Sequence, residues 1–270
     1  MDGCCYLNVI PEEIKQYIIL LTENKVFDLC LINHYFNNNC KIIKILDNFK
    51  YPKLTNINLK LLINLTSLDL PFNEEITDEG IKGLINLVNL NLEGNEIITD
   101  EGIKGLVNLT SINLHFNKKI TDEGIKELTN LTSLNLDFNN LITDEGIKRS
   151  TKLISLNLSF NTKITDERLK TLTTLTSLNL SCNNIITAIG IKTLTNLVSL
   201  NLYYNKKIKN AGIGELTKLT SLDLRFNKII TDKGIKRLVN LSYLNLSSNN
   251  VITNQGIKGL VNLSSLNYDI

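Results

Sequence analysis

Apolar and polar positions recur along most of the chain with a fixed step of 22 residues. Asparagines mark that step at positions 73, 95, 117, 139, 161, 183, 205, 227 and 249. A Leu-x-x-Leu-x-Leu phrase precedes each of them, as in Leu131-Thr-Ser-Leu134-Asn-Leu136. A regular period of this size predicts stacked coils, because no single coil of 22 residues buries its own leucines.

The pattern within one period predicts the parts of each coil. Alternation in Leu134-Asn135-Leu136 predicts one short strand with both leucines facing the core. The following Asn139 is expected to be buried, where its amide pairs with loop backbone groups. Thr143-Asp144-Glu145 predicts the start of a short helix. Gly146 is expected to permit close packing on the neighbouring coil.

Aromatic residues stand directly before many of these asparagines, and their spacing predicts a stacked rib inside the core. Cys182 and Gly94 share the register, so Cys182 is interpreted as a small core residue. The members are Phe72, Phe116, Phe138, Phe160, Tyr204 and Phe226.

Irregular positions interrupt the array at a few places. Leu54-Thr-Asn-Ile57-Asn-Leu59 repeats the strand phrase only 11 residues before Leu65, which predicts a joint with half a coil missing. Arg168 replaces a Gly, and Ala188-Ile189 and Asn210-Ala211 replace Asp-Glu. These three changes are interpreted as neutral.

From about Leu54 to the end, the phrases resemble the leucine-rich-repeat family, and the segment Ile120 to Lys126 resembles the variant found in F-box leucine-rich-repeat proteins. The resemblance implies an α/β fold, a leucine-rich-repeat solenoid or horseshoe. A parallel β-sheet is expected on its concave side and short helices on its convex side.

The first fifty residues lack the 22-residue period. Ile14, Ile18 and Leu21, followed by further apolar residues to Phe36, predict two or three short amphipathic helices. Two domains are therefore expected, a helical segment at 1–50 and the solenoid at 51–270.

This N-terminal segment resembles a degenerate F-box at about residues 7–40. Ile10-Pro11-Glu12-Glu13-Ile14 matches the opening of that motif, and Leu31-Ile32-Asn33-His34-Tyr35-Phe36 matches its close. The resemblance implies that Ile10, Pro11, Ile14, Leu31 and Ile32 contact a Skp-type adaptor. The alternative is that the helices only cap the apolar end of the solenoid.

Charge and cysteine content narrow the class of protein. The 29 basic and 27 acidic residues give a net charge of +2, which predicts no nucleic-acid or membrane partner. Five cysteines without ligand spacing, and no signal peptide or long apolar run, predict an intracellular protein, cytoplasmic or nuclear.

Catalytic chemistry is not expected from this composition. Two histidines exclude most histidine-based triads and metal sites, and no phosphate-binding loop is present. We expect neither an enzyme nor a cofactor or metal.

The concave face carries Ser, Asn or Asp in most coils, and its exceptions are the candidate contacts for a protein target. They are Glu93, His115, Asp137, Tyr203, Arg225 and Tyr243. The loop after each repeated Asn is acidic at Glu74, Glu75 and Glu96, and basic at Lys118, Lys119, Lys163, Lys206, Lys207 and Lys228.

The order of an F-box-like segment followed by repeats implies a substrate-recognition adaptor of an SCF-type cullin ubiquitin ligase. In that case the N-terminal segment holds the Skp-type adaptor and cullin, while the repeats hold a target protein. The alternative is a free-standing leucine-rich-repeat binding scaffold with a helical cap and no ubiquitin role.

Overall fold

The computed structural model describes residues 55–60 and 62–268, together with two short strands, Ile19–Leu20 and Ile42–Lys44. The chain forms two compact units, Met1–Asn130 and Leu131–Ile270. Each unit is built from stacked coils that contribute one strand apiece to a parallel sheet.

The first unit pairs its strands in chain order, and the register between the last three is an offset of 22 residues, as in Leu68 opposite Leu90. Its strands are β1 (Ile19–Leu20), β2 (Ile42–Lys44), β3 (Ser67–Asp69), β4 (Asn89–Asn91) and β5 (Ser111–Asn113). Its helices are α1 (Asn56–Lys60), α2 (Asp78–Ile81), α3 (Asp100–Ile103) and α4 (Asp122–Ile125).

The second unit keeps the same register throughout, as in Leu222 opposite Leu244. Its strands are β6 (Ser133–Asn135), β7 (Ser155–Asn157), β8 (Ser177–Asn179), β9 (Ser199–Asn201), β10 (Ser221–Asp223), β11 (Tyr243–Asn245) and β12 (Ser265–Asn267). Its helices are α5 (Asp166–Leu169), α6 (Ala188–Ile191), α7 (Asn210–Ile213), α8 (Asp232–Ile235) and α9 (Asn254–Ile257).

The core of both units is a series of leucine and isoleucine layers. The middle residue of a strand and the leucine two positions later are fully buried, as at Leu134 and Leu136. Flanking strand residues stay half-buried on the other side of the sheet. The predicted solenoid of parallel strands and short helices is confirmed, because the middle residue is buried in each strand from β3 to β11, whereas β12 is exposed.

A ladder of buried asparagines joins successive coils. The Asn183 side-chain amide donates to the carbonyls of Leu158 (2.9 Å) and Asn161 (3.0 Å) in the preceding coil. Its Oδ1 accepts the N–H groups of Ile185 (3.0 Å) and Ile186 (2.9 Å) in its own loop. Each such Asn therefore satisfies backbone groups that a buried turn would leave unpaired, as predicted.

A second ladder runs through the helix starts, and the sequence analysis missed it. Oδ1 of Asp100 accepts the N–H of Thr121 (2.8 Å), and Oδ2 accepts the Thr121 hydroxyl (2.6 Å) in the next coil. That threonine also caps its own helix by accepting the N–H of Glu123 at 3.3 Å. The acid at the helix start thus binds the neighbouring coil besides favouring its own helix.

The repeated glycine makes room for this second ladder. A Cβ added to Gly124 would lie 2.5 Å from Oδ1 of Asp100, the oxygen that binds Thr121. Close coil packing was predicted for this register, and the structure confirms it.

One of the changes that we interpreted as neutral, at Ala188, alters the second ladder together with Lys209. Ala188 lacks the carboxylate, and Lys209, at the position of the threonine it would bind, lacks the hydroxyl. The bond between hydroxyl and carboxylate in this rung is therefore lost on both sides. Asn210 keeps its own rung, because its side chain binds both the N–H and the hydroxyl of Thr231.

Arg168 is not neutral either, because it stands where the other coils have glycine. Its guanidinium donates to the carbonyl of Ile147 in the preceding coil, and burial lowers its pKa. Its Nε is buried without a hydrogen-bond partner. Residues 144–149 of the preceding coil form turns instead of the helix that we predicted there, and the carbonyl that Arg168 binds belongs to this segment.

The predicted joint near residue 54 is wrong in its details. Asn56–Lys60 is a helix rather than a strand, and its Asn56 binds the N–H and hydroxyl of Thr77 as the first rung of the second ladder. Leu59 is buried as predicted, but Ile57 is 74% exposed. The regular 22-residue spacing therefore begins at this helix, about half a coil before the first regular strand phrase at Leu65.

Strands also occur in the N-terminal segment that was predicted to be helical. Ile19–Leu20 and Ile42–Lys44 pair in parallel, and Ile43 lies opposite Leu68 of the first regular coil. The helical prediction is wrong at these residues, where backbone pairing with the repeat sheet replaces it. The proposed domain boundary at 50 and 51 stays a prediction.

The aromatic residues before the ladder asparagines do not form a core rib. They adopt left-handed backbone, with φ near 51° at Phe138 and Phe160, and their side chains are 38% and 41% exposed. This turn directs the following Asn inward and the aromatic outward. Cys182 shares the conformation and is only partly buried, so it is not a core residue.

We expect Gly124→Ala to lower the free energy of unfolding by about 1–3 kcal/mol, because the new methyl group displaces the Asp100 carboxylate from Thr121. Gly105→Ala is the matched control, since a Cβ there meets no atom within 4 Å. Urea denaturation followed by circular dichroism measures both. Equal midpoints for the two variants would contradict the role assigned to the glycine.

Candidate functional site

One side of the sheet carries the residues that sequence analysis selected as contacts. We call it the strand face. It comprises the first and third residues of each strand and the residue two positions after the third. The side chain of the third strand residue fixes the backbone of the residue two positions later, since Oδ1 of Asn201 accepts the N–H of Tyr203 at 2.9 Å. Asp223 binds the N–H of Arg225 in the same way at 3.0 Å. The backbone therefore presents each of these side chains in a defined direction.

In the first unit, Glu93 and His115 lie one coil apart on the strand face, and both are half-buried. A Glu93 carboxylate oxygen accepts the side-chain amide of Asn113 at 3.2 Å. The His115 ring packs at 4.6 Å from the Phe116 ring, at an interplanar angle of 42°. Each of the two candidates is therefore held by a neighbouring side chain of the first unit.

Small polar side chains leave the rest of the first unit's strand face shallow. They line an open hollow with no deep enclosure, formed by Ser67, Asp69, Asn89, Asn91, Ser111 and Asn113. Small-molecule sites are usually deeper and more apolar than this. The surface suits contact with a broad polar partner.

The second unit brings three of the selected residues near one another. The Arg225 guanidinium carbon lies 5.2 Å from the centre of the Tyr203 ring. Tyr243 stands one coil further along, where most coils have serine. An electrostatic interaction with Tyr243 contributes to the raised pKa of Arg225. Asp137 does not join them, because the coils of Ser159 and Ser181 separate it from Tyr203.

Asp223 completes this cluster, and sequence analysis did not select it. Arg225 Nε donates to both Asp223 oxygens at 3.1 and 2.9 Å, and Nη2 donates at 2.7 Å. The carboxylate raises the pKa of Arg225, so the guanidinium remains charged. In the sequence, Asp223 takes the third strand position, where most coils have asparagine, and it stands two residues before Arg225. That departure was the signal that could have identified it.

Aromatic contacts hold the cluster in place. The Tyr203 ring meets the Phe226 ring edge-on, with centroids 5.7 Å apart and an interplanar angle of 86°. The Tyr243 hydroxyl accepts the side-chain amides of Asn245 (3.1 Å) and Asn267 (3.4 Å). Tyr203, Arg225, Asp223 and Tyr243 are called the Tyr-Arg cluster below.

Little else in the described part of the chain offers chemistry. No group of three or more His, Cys, Asp or Glu side chains there is arranged to hold a metal ion. Burial, and to a lesser extent the charge of Asp137, raises the pKa of Cys182, which keeps the thiol protonated. None of the helices in these residues has the length and apolar character needed to cross a membrane.

The residues predicted to contact an adaptor lie outside the described part of the chain. These are Ile10, Pro11, Ile14, Leu31 and Ile32. The structure therefore leaves that prediction as it stands.

Three comparisons place the chain among known proteins. A family model described as Leucine Rich repeat matches residues 62–85, 83–107, 105–128, 127–148, 149–169 and 238–261. A second, described as Leucine rich repeat, matches residues 173–229. No curated protein matches the chain.

Several solved structures share the fold. An internalin (inlF) from Listeria monocytogenes is 26% identical over 87% of this chain and 68% of its own, with a TM-score of 0.65. An internalin C2 from the same organism is 26% identical over 84% of this chain and 99% of its own, with a TM-score of 0.56.

The structure of a TLR13–ssRNA13 complex is 26% identical over 87% of this chain, with a TM-score of 0.67, and the match covers 36% of that chain. The repeats, the asparagine ladder, the second ladder at the helix starts and the similarity to these solved structures all indicate the same family. The chain belongs to the leucine-rich-repeat family.

Proposed function

We propose that the chain is a binding scaffold that captures a protein target on its strand face, centred on the Tyr-Arg cluster. Leucine-rich repeats indicate a protein–protein interaction module. The observation that supports this centre is the Arg225 side chain, 42% exposed yet fixed by Asp223, which is only 13% exposed. Arginine and tyrosine contribute most at interfaces when they are held in place before binding.

The chemistry of the cluster suits a protein surface. Arg225 offers its remaining donors to a backbone carbonyl or carboxylate, while Tyr203 and Tyr243 offer rigid contact area with few rotatable bonds. Glu93, His115 and Asp137 are proposed as further contacts on the same type of face. Glu93 and Asp137 are acidic whereas Arg225 is basic, so these positions favour a partner with mixed polar character.

RNA is the less favoured partner, although one structural neighbour was solved with single-stranded RNA. Single strands bind by stacking bases on open aromatic faces. Here the Arg225 guanidinium lies over the Tyr203 ring, and Tyr203 meets Phe226 edge-on. The strand face of the first unit also carries Asp69 and Glu93, which repel phosphate.

A finer proposal makes the chain a substrate adaptor of an SCF-type cullin ligase, with a Skp-type adaptor bound at residues 7–40. It rests on the sequence resemblance of that segment. The pairing of Ile19–Leu20 and Ile42–Lys44 with the repeat sheet supports the alternative, a scaffold whose first residues continue or cap the stack. An intracellular, non-enzymatic role is proposed for either version on the composition alone.

We expect Tyr203→Ala and Arg225→Ala each to weaken target binding at least about tenfold, because anchors at an interface centre carry most of its energy. Proteins captured from a lysate by the full chain are identified, and the dissociation constant of the purified binder is then measured. Arg237→Ala is the matched control, since Arg237 is also half-exposed and paired with a carboxylate, that of Glu215, away from the strand face. Equal affinities for all three variants would exclude the cluster as the centre.

The adaptor proposal predicts that the full chain co-precipitates a Skp-type adaptor and a cullin from a eukaryotic lysate. Changing Pro11 and Ile14 together to alanine is then expected to abolish that capture, while circular dichroism of the repeats stays unchanged. If the unmodified chain captures neither protein, the adaptor proposal fails and the scaffold remains.

A further inference from the structure

Two exposed aromatic rings form a strip on the edge of the second unit. Tyr204 and Phe226 occupy successive coils on left-handed backbone, with 43% and 44% of their side chains exposed. Lys206 and Lys207 follow Tyr204 in the adjoining loop, and Lys228 follows Phe226. We call these five residues the basic edge.

The lysines of the basic edge lack acidic partners. The Lys206 ammonium lies 4.2 Å from the centre of the Tyr204 ring and donates to its hydroxyl at 3.1 Å. No ion pair involves Lys206, Lys207 or Lys228 within residues 131–268. Charge and apolar area are therefore exposed side by side, the arrangement of an unoccupied docking surface.

The first unit carries a surface of opposite charge. It takes the same positions of the coil, six coils earlier in the sequence. Glu74, Glu75 and Glu96 correspond to Lys206, Lys207 and Lys228, each pair being 132 residues apart. Phe72, 53% exposed, corresponds to Tyr204. Gly94 corresponds to Phe226, and the Phe72 ring lies over Gly94, where it fills the space that a side chain would take.

A hollow lies beside the Phe72 ring and Gly94. Its walls include the Phe72 ring, the Gly94 backbone, Glu74 and Glu96, with Lys119 at one side. Glu96 forms an ion pair with Lys118 at 3.0 Å, but Glu74 and Glu75 have no ion pair among the described residues. We call Phe72, Gly94 and the three glutamates the acidic edge.

Net charge follows the same division. Residues 55–130 contain 12 acidic and 6 basic side chains, whereas residues 131–268 contain 8 acidic and 17 basic side chains. The whole chain carries only +2. Copies of the chain therefore repel each other weakly overall, while opposite parts attract.

We propose that the basic edge of one copy docks on the acidic edge of a second copy of this chain. The Phe226 ring enters the hollow beside Phe72, and the lysines around it face the glutamates. Exposed ion pairs contribute little each, so the buried ring supplies the contact area and the charges fix its orientation. The strand face takes no part in this contact, although the Phe226 ring also meets Tyr203 of the Tyr-Arg cluster edge-on. The proposal does not rest on the target-binding one.

A second copy explains more of the surface than other partners do. A nucleic acid or an unrelated acidic protein would account for the basic edge alone. It would leave unexplained why the acidic edge reverses the charge at each matching position and has a hollow beside Phe72 and Gly94. Lys206 also covers one face of the Tyr204 ring, which hinders stacking of a base.

Sedimentation velocity of the full chain tests the proposal. We expect association at about 0.05 M salt that weakens at least tenfold at about 0.5 M, where charges are screened within a few ångströms. Reversing Lys206, Lys207 and Lys228 to glutamate, or Glu74, Glu75 and Glu96 to lysine, leaves each variant monomeric. An equimolar mixture of the two variants associates again, because each then meets an opposite charge.

Two controls complete the experiment. Reversing the exposed helix-side residues Lys233, Lys236 and Lys258 to glutamate changes the net charge equally and leaves self-association intact. Phe226→Ser weakens association at least tenfold without backbone strain, since Ser248 adopts the same left-handed conformation in its own coil. A monomeric unmodified chain at low salt, or a mixture that stays monomeric, would overturn the proposal.

Discussion

The buried asparagine ladder is the interaction on which both units depend. Within each unit a ladder side chain, such as that of Asn205, binds a carbonyl of the previous coil and two N–H groups of its own loop. No coil is complete without its neighbour, because the leucine layers and these polar groups are both satisfied across the stack. The 22-residue period follows from this requirement, and it frees the outer strand positions to vary.

Much of this architecture could be predicted because the period repeats a physical requirement many times. Strands, buried leucines and the ladder role of Asn183 followed from spacing alone. The start of the stack did not, because Leu54-x-x-Ile57-x-Leu59 imitates the strand phrase while Thr55-Asn56 stands 22 residues before Thr77-Asp78. Aromatic exposure was also missed, since a local left-handed turn at residues such as Phe138 overrides the apolar character of the side chain.

The candidate site was predictable in its register but not in its details. Counting residues placed Tyr203, Arg225 and Tyr243 on one face in successive coils. The pairing of Arg225 with Asp223 depends on side-chain conformation, which a repeat pattern does not encode. Asp137 lies three coils before Tyr203, and its separation from the cluster follows from the register alone. In a uniform repeat, a single residue that departs from the pattern is easy to recognise in the sequence. Its chemistry then depends on its contacts with the adjoining coils.

Hydrogen exchange of the intact chain, measured residue by residue for the native sequence and for Asn183→Ala, tests the ladder most directly. The account predicts that the Ile185 and Ile186 amides are protected in the native chain. In the variant they should exchange at least about tenfold faster, since they lose the Asn183 acceptor. The coils nearest the C-terminus of the second unit should keep their protection. Unchanged protection at Ile185 and Ile186 in the variant would contradict the claim that the ladder holds the coils together.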